Sequence, residues 1–105
     1  MDADPDFCPP ADVPPGILHA HLLIVNRKGL HARASAKFVQ TVERFDAVVT
    51  VTRCGETVGG RSIMGLLTLG AAKGTTITVT AEGEEAVASL AALTELIANR
   101  FGEDE

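Results

Sequence analysis

Two stretches, Ala47–Arg53 and Thr75–Ala81, set narrow limits on what this chain can fold into. In the first, Val49 and Val51 alternate with Thr50 and Thr52; in the second, Ile77 and Val79 alternate with threonines. β-branched residues repeating with period two make a strand with one apolar and one polar face. Strands of that kind form an antiparallel sheet that buries one face and leaves the other wet. The remaining segments must therefore supply a single covering layer.

Those segments can be read in order. Ile17–Val25 is an apolar run interrupted by His19 and His21 and reads as the first strand. A helix is expected from about Ala32 to Arg44, with Ser35, Phe38, Val39 and Val42 at the i, i+3, i+4, i+7 spacing of one face. Ala32, Ala34 and Ala36 favour it because alanine loses almost no side-chain entropy. Cys54-Gly55 turns the second strand into a short edge strand, Glu56–Gly60. Ser62 is a good N-cap for a short apolar helix, Ile63–Leu69, in which Leu66 and Leu69 read as core. A last helix opens on the acids of Glu82–Glu85, which suit its dipole. Its buried stripe is Ala86, Leu90, Leu93, Ile97 and Phe101, and Gly102 ends it. The expectation is an α+β fold: a two-layer open-faced sandwich, βαββαβα, with a four-stranded antiparallel sheet covered on one face by three helices.

The length of 105 residues suits one domain. We expect it at residues 17–102, after a Pro/Asp-rich, disordered or extended tail at 1–16 that holds all five prolines, and before an acidic tail at 103–105 that trails into solvent. The formal charge of −5 is unevenly spread. Asp2, Asp4, Asp6, Asp12, Glu103, Asp104 and Glu105 lie in the end segments, leaving seven acids against nine Lys and Arg. Between Asp12 and Glu43 every charged residue is basic: Arg27, Lys28, Arg33 and Lys37. That patch suits an acidic partner or a phosphorylated one, although it would equally be a small solvated basic surface.

No apolar run is long enough to span a membrane, and the N-terminus lacks the pattern of a secretory signal, so a cytoplasmic location is expected. Cys8 and Cys54 have neither C-x-x-C spacing nor a disulfide framework. His19 and His21 could share a strand face, but no nearby cysteine or carboxylate completes a metal site. No metal and no cofactor are expected. There is no Trp or Tyr, and the strands lack the stacking residues of a nucleic-acid-binding sheet.

The stretch with chemistry in it is Lys28–Phe38, K-G-L-H-A-R-A-S-A-K-F. Gly29 permits an unusual turn, and His31 follows at the expected N-terminus of the first helix. Unpaired amides of a first helical turn, with the macrodipole, favour an anion by about 0.3–1 kcal/mol at an exposed site. The same field opposes a cationic imidazolium, which leaves the nucleophilic neutral ring available at His31. Arg33 could fork onto phosphate oxygens. A solvated His–Arg surface pair is the plainer alternative.

Gly29–Phe38 resembles the active-site signature of HPr, the histidine-containing phosphocarrier family of the bacterial phosphotransferase system. Gly60–Gly70, G-R-S-I-M-G-L-L-T-L-G, resembles that family's regulatory serine region, and the two stand at the family's mutual spacing. The resemblance runs from about Leu18 to Phe101. It implies the fold derived above and a monomeric carrier that is not itself an enzyme. His31 would take a phosphoryl group on Nδ1 from an enzyme I-type phosphotransferase, with Arg33 assisting, and pass it to an enzyme IIA-type acceptor. It also implies a docking patch of Ala32, Ile63, Met64 and Leu67, and puts Ser62 at a position that a serine kinase/phosphorylase modifies in part of the family. The wording H-A-R-A-S-A-K-F-V is closest to the nitrogen-related branch. Ala34 stands where many members have proline, and Gln40, Glu43 and Gly65 where sugar-branch members often carry lysine. Those departures favour a regulatory partner over a sugar permease. The rival within the fold is a non-catalytic regulatory module acting by partner binding, which would not need the retained His-x-Arg pair.

Overall fold

The computed structural model describes residues 8–105. Its strands are β1 (Leu18–Leu23), β2 (Val48–Arg53), β3 (Glu56–Gly59) and β4 (Thr76–Glu82). Its helices are α1 (Ala32–Val42), α2 (Ile63–Thr68) and α3 (Ala86–Ala98), in the order βαββαβα. The sheet runs β1-β4-β2-β3 and every pairing is antiparallel, with Val51 opposite Val79 and Leu22 opposite Ile77. The period-two residues do what their chemistry demands. Val49, Val51, Ile77 and Val79 point into the core against Phe38 and Val42 of α1 and Leu93 and Ile97 of α3. On the opposite face the threonine hydroxyls pair across strands, Thr50 with Thr80 at 2.5 Å and Thr52 with Thr57 at 2.7 Å.

α1 buries Ser35, Phe38, Val39 and Val42, the face its spacing defines. α2 is capped by Ser62, whose Oγ accepts the Gly65 amide at 2.9 Å. Leu66 and Leu69 are in the core, as their positions require.

Four details differ from the sequence reading. Glu82 ends β4 and Gly83 (φ +124°) turns the chain, so the acids at 82–85 do not lie in the first turn of α3. Instead Glu85 is the residue before that helix, and its carboxylate accepts the Asp46 amide at 2.8 Å. α3 also stops at Ala98. Arg100 and Phe101 take left-handed backbone conformations (φ +57° and +55°) that reverse the chain while keeping Phe101 fully buried. The third difference follows from that reversal: 103–105 do not trail into solvent but fold back toward the loop after β1.

The fourth is the cysteine pair. Cys8 and Cys54 form a disulfide, with Cα atoms 5.1 Å apart. Of the expected tail at 1–16, residues 1–7 lie outside the described residues. The part from Cys8 onward lies beside β2 and β4, where the Ala11 amide donates to Thr78 Oγ1 at 3.3 Å. The pairing left no trace in the spacing because it depends on the path of a segment without regular structure.

Candidate functional site

The site is built on the loop between β1 and α1. Asn26, fully buried, starts it: its Nδ2 donates to the Gly29 carbonyl at 2.8 Å. Gly29 takes φ +67°, and a Cβ on it would meet the Ala71 carbonyl oxygen at 2.5 Å and Ala72 Cα at 2.8 Å. The next amide, Leu30, donates to that same Ala71 oxygen at 2.8 Å. The loop is thus held from below by Asn26 and from the side by the 71–72 backbone.

The geometry delivers His31 as the N-cap of α1. Its extended backbone lets the ring turn back over the first turn, where Nδ1 accepts the Arg33 amide at 3.1 Å. Nε2 faces Glu103 Oε2 at 2.5 Å. The His31 side chain is 27% exposed, enough for a partner to reach the ring. Ala32 and Arg33 are exposed beside it and line the same cleft as Arg27 and Lys28. The cleft is thus rimmed on one side by the cations Arg27, Lys28 and Arg33 and on the other by Glu103, Asp104 and Glu105, at the N-terminus of α1, whose dipole favours an anion.

Glu103 and Asn26 belong to this site, and sequence reasoning missed both. Glu103 Oε1 accepts a second hydrogen bond from Asn26 Nδ2 at 3.0 Å. Burial by itself would raise the Glu103 carboxyl. The hydrogen bonds from Asn26 and His31, with the positive charge of His31 when protonated and of Lys28, outweigh it and hold the group below its ordinary 4.5. A carboxyl lowered in the folded state stabilises the fold above its ordinary value, and the contribution is lost as pH falls through the lower folded value. We therefore expect the stability advantage of the natural chain over Glu103→Gln to be full above pH 4.5 and to shrink on acidification below it. Chemical-denaturation curves of both proteins from neutral pH into the acid range check this; an advantage that grew on acidification would contradict it. The signal available in the sequence was Phe101-Gly102, a large apolar residue followed by glycine where a helix should end.

Of the other residues singled out, Ile63 and Met64 are exposed (40% and 71%) and Leu67 is half-buried, on a helix that packs beside α1. Ser62 is exposed at the start of that helix. His19 and His21 stack edge to face with centroids 5.2 Å apart, and each Nδ1 has an oxygen neighbour, Ile17 O and Thr78 Oγ1. Among the described residues no group of three or more His, Cys, Asp or Glu could hold a metal ion. No helix among them is long and apolar enough to cross a membrane.

The fold is a small α+β sandwich with a partly exposed histidine capping its first helix. The family model for the HPr component of the phosphotransferase system, described by its phosphorylation site, matches residues 18–99. The phosphocarrier protein HPr of Neisseria meningitidis serogroup A is 47% identical over 89 residues, 85% of this chain and all of that protein. That of Pseudomonas aeruginosa is 48% identical over 85 residues, 80% of this chain and 94% of that one. A crystal structure of HPr from Thermoanaerobacter tengcongensis superposes with a TM-score of 0.80 at 36% identity, covering 84% of this chain and 99% of the other. The chain belongs to the HPr family, the phosphocarriers of the phosphotransferase system.

Proposed function

We propose that His31 is the residue that carries the phosphoryl group, as a phosphohistidine on Nδ1. The observation that supports this is the ring itself: partly exposed, at the start of α1, with Nδ1 against a first-turn amide. An enzyme I-type protein, charged from phosphoenolpyruvate, presents its own phosphohistidine, and Nδ1 attacks the phosphorus in line. The amides of the first turn and the Arg33 guanidinium steady the transferred oxygens, which is most of what phosphoryl transfer asks of a protein. An enzyme IIA-type protein then takes the group.

Each partner must bind and leave, so a small apolar patch suits the task. Ala32, Ile63, Met64 and Leu67 supply it, and methionine adapts to more than one partner. A phosphate on Ser62 would sit at the start of α2 within that patch and repel an acidic partner. The sequence H-A-R-A-S-A-K-F-V, with Gln40, Glu43 and Gly65 in place of docking lysines, supports a regulatory, nitrogen-related branch. Phosphoenolpyruvate as the ultimate donor supports a cytoplasmic location. A reducing compartment opens the Cys8–Cys54 bridge, and that bridge shares no residue with the His31 cleft.

The test is incubation with phosphoenolpyruvate and enzyme I, followed by intact-mass measurement. One acid-labile, base-stable phosphoryl group is expected, and it should move to an added enzyme IIA-type protein. No gain of mass, or a gain stable in acid, overturns the reading.

A further inference from the structure

The two nitrogens of His31 have different neighbours, and the difference fixes where the proton is. Nδ1 accepts the Arg33 amide at 3.1 Å, so it carries the lone pair. Nε2 lies 2.5 Å from an oxygen of Glu103, so it carries the hydrogen and donates it. Glu103 cannot drift, because Asn26 Nδ2 holds its other oxygen at 3.0 Å and Asn26 is itself fully buried. The segment that brings Glu103 here is anchored by buried Phe101, whose carbonyl accepts Lys37 Nζ at 2.5 Å. Glu103 also lies beyond residues 18–99 that match the family model.

Resting on the carrier reading above, we infer that Glu103 is a positioning residue. It holds the proton on Nε2 throughout the cycle, and its carboxylate is the counter-charge of the phosphorylated ring. When Nδ1 attacks, its lone pair forms the new N–P bond. The donor's N–P bond breaks and its electron pair returns to the donor nitrogen. The Nε2 proton stays, so the phosphorylated ring is a cation facing the carboxylate. On delivery the N–P electron pair returns to Nδ1 and the ring is neutral again, with the same proton on Nε2. No proton has to move in either direction. Loss of that proton from the phosphorylated ring would instead strengthen the N–P bond and slow release.

Other charges surround the pair. Arg27 and Lys28 stand on the loop, Arg33 and Lys37 on α1, and Asp104 and Glu105 on the C-terminal segment. The phosphoryl group itself also ionises near neutrality, so the comparison of Glu103→Gln with the natural chain, in which that group is the same, isolates the carboxylate.

The experiment compares the natural chain with Glu103→Gln and Glu103→Asp, each phosphorylated by enzyme I, and follows phosphoryl release against pH. Glu103→Gln removes the negative charge that faces the protonated, phosphorylated ring. In Glu103→Gln phosphoryl release at neutral and mildly alkaline pH should therefore be about ten-fold slower than in the natural chain, the size expected for one lost charge-assisted hydrogen bond. Glu103→Asp should recover much of the natural profile. Before phosphorylation, a downfield, slowly exchanging Nε2 proton in the NMR spectrum should be present in the natural chain and lost in Glu103→Ala. If the natural chain takes up no phosphoryl group, the carrier reading fails and this one with it. If it does, but the Glu103→Gln profile superimposes on the natural one, Glu103 has no such role and the carrier reading stands.

Discussion

His31→Ala is expected to take up no phosphoryl group from phosphoenolpyruvate and enzyme I, while remaining folded. Alanine has no lone pair to attack phosphorus, and the described structure puts no second histidine in the cleft. The fold should lose little. The ring caps α1 through the Arg33 amide, and loss of such a cap costs about 0.5–2 kcal/mol. A thermal melt separates loss of the nucleophile from loss of structure. The same variant also separates the carrier from an HPr-like module that acts by binding alone. The exposed Ile63 and Met64 are untouched by the substitution, so the variant should still bind the donor enzyme and compete with the natural chain for it. Retained phosphorylation in His31→Ala would assign the acceptor elsewhere.

Gly29→Ala is expected to destabilise the protein by about 2–5 kcal/mol and to slow transfer as well. Two costs add. A non-glycine residue at φ +67° costs about 1–2 kcal/mol, and forcing a methyl into occupied space costs about 1–3 kcal/mol more. The obstacle is backbone: the Ala71 oxygen 2.5 Å away is the acceptor for Leu30, so relief of the clash stretches the bond that seats the loop under His31. Gly70→Ala is the control, since Gly70 has φ +61° but nothing within 4 Å of the added Cβ, and only the conformational cost applies. Urea unfolding of the two variants measures the difference. Equal losses would mean that the 71–72 backbone does not hold the loop.

Which features the sequence revealed depended on how far apart the interacting residues are. Val49, Val51, Ile77 and Val79 declared the sheet because a period of two is visible within a few residues. Ser35, Phe38, Val39 and Val42 declared the face of α1 in the same way, and Ser62 announced its own cap. His31 could be put at a helix start because glycine and alanines flank it. The partner on its other nitrogen is 72 positions away, in a run of acids that on composition alone reads as a solvated end. The Cys8–Cys54 pairing, 46 positions apart, is hidden for the same reason. The acids of 82–85 misled in the opposite sense. They suit a helix start electrostatically, but Gly83 at φ +124° is the tighter constraint and delays the helix to Ala86.

The left-handed pair Arg100 and Phe101 has a practical result for anyone handling this protein. Because it swings the chain back, Glu105 ends against Arg27, with its carbonyl accepting the Arg27 amide at 2.9 Å and its carboxylate 2.7 Å from the guanidinium. An affinity tag fused after Glu105 would emerge at the rim of the histidine cleft, where the proposed donor and acceptor proteins would land. Kinetics measured with such a fusion would report the fusion as much as the carrier.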